Sequence, residues 1–305
     1  MVKPNVPVAA VTEFLDGLFA SRPAFVQRLT EGQESQAFRF DVGRDALVLR
    51  ITPSIRGFEK DRWVYETVGK NVPVPRVVTL GRFDAANAFC VSEWTPGVTL
   101  EELDRSDVEA VVDDVRKVWS QIAECEVASA DGFGDFDADG AAPALSWREV
   151  LQTTLEAGSA DLSEVARSTD LPDPGRVLGT YRELIEHCPE QRALIHGDFG
   201  SNNILIHEDR VTAVLDWDCA MVGDPLYDIA NTRFWATYLS CMQLQAEHFD
   251  RTLAHFPGYD DRVLCYSLRI GIEEARGCLA GGDREMAAWA MARCRELIEP
   301  QSPLS

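Results

Sequence analysis

The stretch "LIHGDFGSNNILI", residues 194–206, sets a histidine, an aspartate and two asparagines between two apolar, strand-like patches. Gly, Asp, Asn and Ser dominate turns, so a plain turn explains part of this composition. It does not explain His196, Asp198, Asn202 and Asn203 falling within eight residues, divided by Gly197 and Gly200. Upstream, "TYRELIEHC" reads as a helix. Downstream, "NNILI" and "VTAVLDW" flank "HEDR", a hairpin with a four-residue turn whose second strand ends at Asp216. The order is therefore helix, polar loop, hairpin, carboxylate.

The same reading extends outward. "VTEFLDGLF" is a short amphipathic helix with Phe14, Leu15, Leu18 and Phe19 on one side. Residues 25–97 read as a small sheet with one helix: strands at "SQAFRFDV" and "ALVLRIT", a helix over "GFEKDRWVYETVGK", and two further strands closing on Pro96-Gly97. "TLEELDRSDVEAVVDDVRKVWSQIAECEV" reads as one long helix capped by Thr99, with Glu101 and Glu102 in its first turn. Residues 131–146 form a loop insertion rich in Gly and Asp, and from Pro225 the chain is helical almost to its end.

The bulk numbers narrow the function classes. At 305 residues, with 46% hydrophobic and 26% charged residues, two lobes are expected around a substantial core. No apolar run approaches the roughly 20 residues that span a bilayer, and the N-terminus lacks the pattern of a secretory signal. A cytoplasmic protein without a membrane partner is the expectation. The eight cysteines have no metal-ligand spacing and read as small core residues. Residues 1–97 carry a net charge of +1 and residues 98–305 a net charge of -22. That excess argues against a nucleic-acid partner, which needs clustered Lys and Arg. It suits a cationic small molecule, although acidic surfaces also simply keep proteins soluble.

Phosphoryl transfer needs a carboxylate to orient and deprotonate a hydroxyl, plus oxygen ligands for magnesium. Asp198 precedes Asn203 by five residues, the spacing of the kinase pattern H-R-D-x-x-x-x-N, with Gly197 in place of Arg. Asp216 stands where the D-F-G aspartate would, here written D-W-D.

"HGDFGSNNILI" and "VTAVLDWDCAMVGDPLYDIAN" resemble the two signature segments of the aminoglycoside phosphotransferase family. "TEGQESQAFRFDVG", "GFEKDRWVY", "GFGDF", "LRIGI" and "AAWAMARC" extend the likeness, in order and spacing, over most of residues 1–296, toward a member that acts on hygromycin B. The resemblance implies an α+β, protein-kinase-like bilobal fold with a small β-rich N-terminal lobe (1–97) and a larger, mostly helical C-terminal lobe (98–305), hinged at about 92–97. It implies a monomeric, magnesium-dependent kinase that uses ATP or GTP to inactivate a cationic aminocyclitol antibiotic, phosphorylating hygromycin B at its 4-hydroxyl. A kinase for another aminoglycoside or a small amino-alcohol, and a nucleotide-binding pseudokinase, are the alternatives.

Roles follow from the resemblance position by position. Asp198 is the implied base, and Asn203 and Asp216 the magnesium ligands. His196 shapes the loop, and Asp224 and Asp228 brace it. Nucleotide falls to Ser35, in a loop whose only glycine is Gly32, to an Arg50–Asp61 clamp, and to backbone groups of Glu93 and Thr95. Acceptor falls to Asn202, Asp218, Trp235, Tyr238, Glu273 and Glu274. Asp218 either assists the site or caps the segment after it, and Trp235 either stacks on a sugar or fills the core. Tyr238 stands where the hygromycin-directed member has a second Trp, and Glu273-Glu274 where it reads Asp-Gln.

Overall fold

A computed structural model describes residues 3–29, 35–125, 127, 132–156 and 174–299. Gly32 and the rest of residues 30–34 lie outside the described residues. Five antiparallel strands open the chain: β1 (Ala24–Arg28), β2 (Gln36–Val42), β3 (Asp45–Thr52), β4 (Val77–Arg82) and β5 (Ala88–Glu93), in the order β1-β2-β3-β5-β4. Their period of two sorts the side chains. Phe38, Phe40, Leu47, Leu49, Ile51, Phe89 and Val91 form one core with Val11 and Leu15 of helix α1 (Val8–Leu18). The alternate residues of β3 and β5 face the other way, where Arg50 lies directly across from Cys90.

That second face receives helix α2 (Arg56–Val68). Phe58 packs there with Ala88 and Cys90, whereas Trp63, Val64 and Val68 enter the larger core of the remaining chain. One helix thus joins the second face of the sheet to the larger core.

The larger part contains two small sheets. β6 (Val98–Thr99), β9 (Ile204–His207) and β10 (Arg210–Val214) are ordered β10-β9-β6. The hairpin turn is tighter than the sequence suggested: His207 pairs with Arg210, leaving only Glu208 (φ 49) and Asp209 (φ 58) between. Positive φ at both central residues matches the twist of the flanking strands, which a longer turn does not need to do. β7 (Gly134–Asp135), β8 (Ala193–Ile195) and β11 (Met221–Gly223) form the second sheet, with β11 central. The 131–146 segment is therefore not a bare insertion; its "GD" dipeptide is a strand.

The expected long helix is broken. Thr99 caps only a 3₁₀ turn, Leu100–Glu102, where its N–H and hydroxyl both donate to Glu102 Oε2 (2.8 and 3.0 Å). Helix α3 (Arg105–Ala123) starts afresh behind Asp104, which accepts from the Asp107 N–H at 3.1 Å. Two capping signals five residues apart make two elements. The helices α4 (Trp147–Glu156), α5 (Gly175–Ile185), α6 (Leu226–Trp235), α7 (Ser240–Leu253), α8 (Tyr259–Gly281) and α9 (Arg284–Ile298) complete the fold, with α8 packed against both α6 and α9. Among the described residues no helix is long and apolar enough to cross a membrane. The cysteines are free thiols, most of them buried.

Candidate active site

The polar loop after β8 is held from below. His196 is fully buried; its N–H and that of Gly197 donate to the two oxygens of Asp228 (3.0 and 2.8 Å). Its Nε2 meets the Leu215 carbonyl at 2.8 Å, so Nε2 carries the proton, and Nδ1 accepts the Asp198 N–H at 3.2 Å. The ring lies 4.5 Å from that of Trp217. His196 is thus a scaffold that joins the loop to the D-W-D segment, as its sequence position implied. Asp228 is buried, and burial pushes its carboxyl up to about 6 against the pull of His196 and the two N–H groups. Gly197 (φ 85) is required where it stands, because a Cβ would approach the Cys219 carbonyl to 2.1 Å.

This scaffold presents Asp198 to solvent with both oxygens held. Asn203 Nδ2 donates to Oδ2 at 2.8 Å and to the Asp198 carbonyl at 2.9 Å. Asn231, from α6, donates to Oδ1 at 3.4 Å and to the Phe199 carbonyl at 3.3 Å. Asn231 was missed by the sequence reading. Its signal was an amide side chain within the largely apolar "LYDIANTRFW" helix, where it is buried.

Asp216 sits in the left-handed region at φ 61, a conformation that costs a non-glycine residue about 1–3 kcal/mol. Its neighbours hold it there. The Leu215 N–H donates to the Asn203 carbonyl (2.8 Å), the Leu215 carbonyl accepts from His196, and the Trp217 N–H donates to Asp61 Oδ1 (3.1 Å). The carboxylate reaches the surface but is enclosed by protein on its other sides. That desolvation raises its pKa; Arg50 and His196 oppose the rise, and Asp61 and Asp218 add to it. Cys219 is exposed, yet its thiol is pushed up to about 12 by the protein packed around it and then by the charges of Asp198, Asp218 and Asp216. Such a thiol stays protonated and unreactive.

Among the described residues no cluster of three His, Cys, Asp or Glu makes an all-protein metal cage. Magnesium does not need one; one or two carboxylates with substrate phosphates and water suffice. The donor set fits that ion. Asn203 spends its amide nitrogen on Asp198, which leaves Oδ1 as its ligand atom, and the nearby carboxylates concentrate negative charge.

Arg50 pairs with Asp61 and lies 5.1 Å from the Phe58 ring. Asp61 thereby links β3, α2 and the D-W-D segment. The Glu93 N–H donates to the Arg76 carbonyl (3.0 Å) and its Oε1 accepts from Arg76 Nε (2.8 Å), so the Glu93 N–H is already engaged. Thr95 is half-buried beside it, and Ser35 is half-buried where β2 begins. A cavity of about 470 Å³ opens beside residues 94–97, lined by Trp94, Gly97, Leu103, Val111 and Ile206. None of Asp198, Asn203 or Asp216 lines it.

The residues expected to meet the acceptor fall into three sets. Trp235 stacks on Trp289 of α9 (centroids 5.2 Å apart, planes at 19°), and Tyr238, 54% exposed, meets Trp289 edge-on at 5.1 Å. Trp289 completes an aromatic cluster that the sequence alone did not assemble, though it lies in the "AAWAMARC" segment. Glu273 is held by the Thr154 hydroxyl at 2.6 Å, and Glu274 accepts from the Cys278 thiol at 3.2 Å. Asn202 is exposed on the catalytic loop, and the Asp218 side chain lies against Gly57 at the start of α2. Among the described residues Asp224 does not touch the loop it was expected to brace; Arg262 of α8 grips both its oxygens (2.6 and 2.7 Å), with Tyr266 at 2.5 Å, so it ties α8 to the segment before α6.

A family model for the phosphotransferase enzyme family matches residues 26–262. The chain belongs to this family. Hygromycin-B 4-O-kinase of Escherichia coli is 36% identical over 299 residues, covering 98% of this phosphotransferase and 87% of that enzyme. A thermostable mutant of aminoglycoside phosphotransferase APH(4)-Ia, in ternary complex with AMP-PNP and hygromycin B, matches with a TM-score of 0.85 and 35% identity, covering 95% of this chain and 98% of that one. A second mutant of that enzyme, in complex with ADP and hygromycin B, matches with a TM-score of 0.87 and 36% identity over 95% and 98% of the two chains. The phosphotransferase fold is thus shared along essentially the whole chain.

Proposed function

We propose that this phosphotransferase is an antibiotic-inactivating kinase that moves the γ-phosphate of ATP to the 4-hydroxyl of hygromycin B. The observation that carries the chemistry is the clamp on Asp198: two amides, one on each oxygen, hold a solvent-facing carboxylate in place. The acceptor and donor rest on the likeness to relatives solved with hygromycin B and with ATP-type nucleotides. A pseudokinase has no use for Asp198, Asn203 and Asp216 together.

In the proposed reaction Asp198 aligns the acceptor hydroxyl and takes its proton. The hydroxyl oxygen forms a bond to the γ-phosphorus as the bond to the β,γ-bridging oxygen breaks, and ADP leaves. Asn203 and Asp216 would hold Mg²⁺, which when bound neutralises charge on the phosphates. Arg50, oriented by Asp61, would meet those phosphates, with backbone groups of Glu93 and Thr95 reading the base and Ser35 closing over it, between lobes joined at residues 92–97. Trp235 and Tyr238 would present ring faces to the sugars, and Asn202, Asp218, Glu273 and Glu274 would meet hydroxyl and ammonium groups.

Arg50→Ala is expected to raise KM for nucleotide and lower kcat while leaving KM for the acceptor nearly unchanged. Arg50→Lys keeps the charge but loses the planar fork, so it should recover only part of the loss. Steady-state kinetics with each substrate varied in turn checks both, and an unchanged nucleotide KM in Arg50→Ala would return this residue to a purely structural role.

The acceptor is tested by a panel of aminoglycosides, with choline and homoserine as controls. Hygromycin B should turn over with the highest kcat/KM. Added salt should lower kcat/KM more than kcat, because the -22 charge beyond residue 97 acts mainly on capture of a cation. Turnover of another acceptor with hygromycin B inert would keep the kinase and remove the substrate.

A further inference from the structure

Lys60 lies on α2 with no exposed surface, one residue before Asp61. Its ammonium donates to three acceptors, Asp135 Oδ1 at 2.5 Å, the Asp218 carbonyl at 2.6 Å and the Ala220 carbonyl at 2.8 Å, and sits 4.9 Å from the Phe136 ring. An ammonium has three N–H donors, and all three are used. Arg56, one turn earlier on the same helix, takes the other oxygen of Asp135. Asp135 itself is fixed on β7, directly across from Met221 of β11. The next side chain along α2, Asp61, accepts the Trp217 N–H at 3.1 Å. Consecutive residues of one helix therefore grip the backbone of 217–220 at three points, just after Asp216.

Only the lysine end of this ion pair is buried, Asp135 being exposed, and such a pair is a modest source of net stability. What the Lys60 ammonium supplies is selection: only one path of residues 218–220 turns two carbonyls toward one point. Asp216 begins that path in a left-handed conformation that its own sequence disfavours. Meanwhile Asp61 ties the same helix to Arg50.

We infer that Lys60 is a positioning residue that locks the 216–220 segment to α2, so that the carboxylate of Asp216 and the Arg50 phosphate clamp are set by a single helix. The inference rests on the kinase reading of Asp216 and Arg50, and it is testable apart from that reading. Lys60→Met keeps the stem and removes the donors. In the metal-free, nucleotide-free protein, amide exchange across 217–220 is expected to speed up by about tenfold or more, as the loss of charge-assisted bonds to these carbonyls implies, while exchange in the β1–β5 sheet stays as in the parent. Calorimetry should give Mg²⁺–AMP-PNP binding weakened by a similar factor and hygromycin B binding weakened several-fold less, because Asp218 alone of the proposed acceptor residues lies on this segment. Asp135→Asn, which retains an acceptor and folds more readily, should shift the same two readouts in the same direction by less.

Unchanged exchange across 217–220 in both variants overturns the inference. So does an equal loss of nucleotide and antibiotic binding, which marks a merely structural lysine. If the parent protein binds no Mg²⁺–AMP-PNP, the kinase reading fails on its own, and faster exchange in Lys60→Met still establishes the lock.

Discussion

Asp198→Ala is expected to lower kcat by about 10²–10⁴-fold, the usual worth of a positioned acid–base group, with little change in the melting transition. The size follows from what Asp198 touches. Its side chain is solvent-facing, so its removal opens no core cavity, and the loop beneath it is held by His196, Gly197 and Asp228 through backbone N–H groups that the substitution leaves alone. The lost function is alignment and proton acceptance at the acceptor hydroxyl. In a loose phosphoryl-transfer transition state alignment is the larger share, so Asp198→Asn, which keeps the side-chain shape and one acceptor oxygen, should be impaired less than the alanine variant. Acceptor and nucleotide binding by calorimetry should stay within a few-fold of the parent. A variant that melts normally and keeps full turnover removes Asp198 from the mechanism.

The largest effect on stability is expected at Arg262. Asp224 and Arg262 are both essentially buried, and the guanidinium makes two bonds to the carboxylate, one to the Pro257 carbonyl and one to Gln191 Oε1 (each 2.8 Å). Arg262→Met keeps much of the volume but leaves the Asp224 carboxylate buried without its cation. Breaking such a pair from one side costs about 3–5 kcal/mol. The double variant Arg262→Met/Asp224→Leu removes the uncompensated charge and should recover part of the loss. Denaturant midpoints of the two single variants and the double variant measure this directly. Loss of less than about 1 kcal/mol in Arg262→Met would mean that Tyr266 and the Leu226 N–H satisfy Asp224 without it. Catalysis should suffer as well, because Gln191 leads into β8 and Asp224 starts α6, the elements that carry Asp198 and Asn231.

Much of this protein is legible in its sequence. The spacing of Asp198, Asn203 and Asp216, the two-strand hairpin between them, the helical run after Pro225 and the small N-terminal sheet all depend on neighbours along the chain, where period, caps and turn residues act. The role of His196 as scaffold and of Asp228 as brace was also implied by their places in the motif, whereas Asp224 proves to hold α8 instead of the loop. Local signals failed where two of them competed. Thr99 and Asp104 each announce a helix start, and only the fold decides that the first yields a single turn. Likewise Glu208-Asp209 can close a hairpin of two residues or sit inside a longer turn, and the pairing of His207 with Arg210 makes the choice.

Only the tertiary structure could join residues that share no local pattern. Asn231 reaches Asp198 from 33 positions away, Trp289 comes from the last helix to stack on Trp235, and Lys60 meets the Ala220 carbonyl across 160 positions. In sequence Lys60 is a charged residue on a helix, ordinarily solvated. It is buried because Trp63 and Val64, one turn on, draw that face of α2 into the larger core, and the ammonium must then find acceptors there. Which acceptors it finds depends on β7 lying beside β11, a pairing fixed by hydrogen bonds between distant segments and not by the residues of either segment alone.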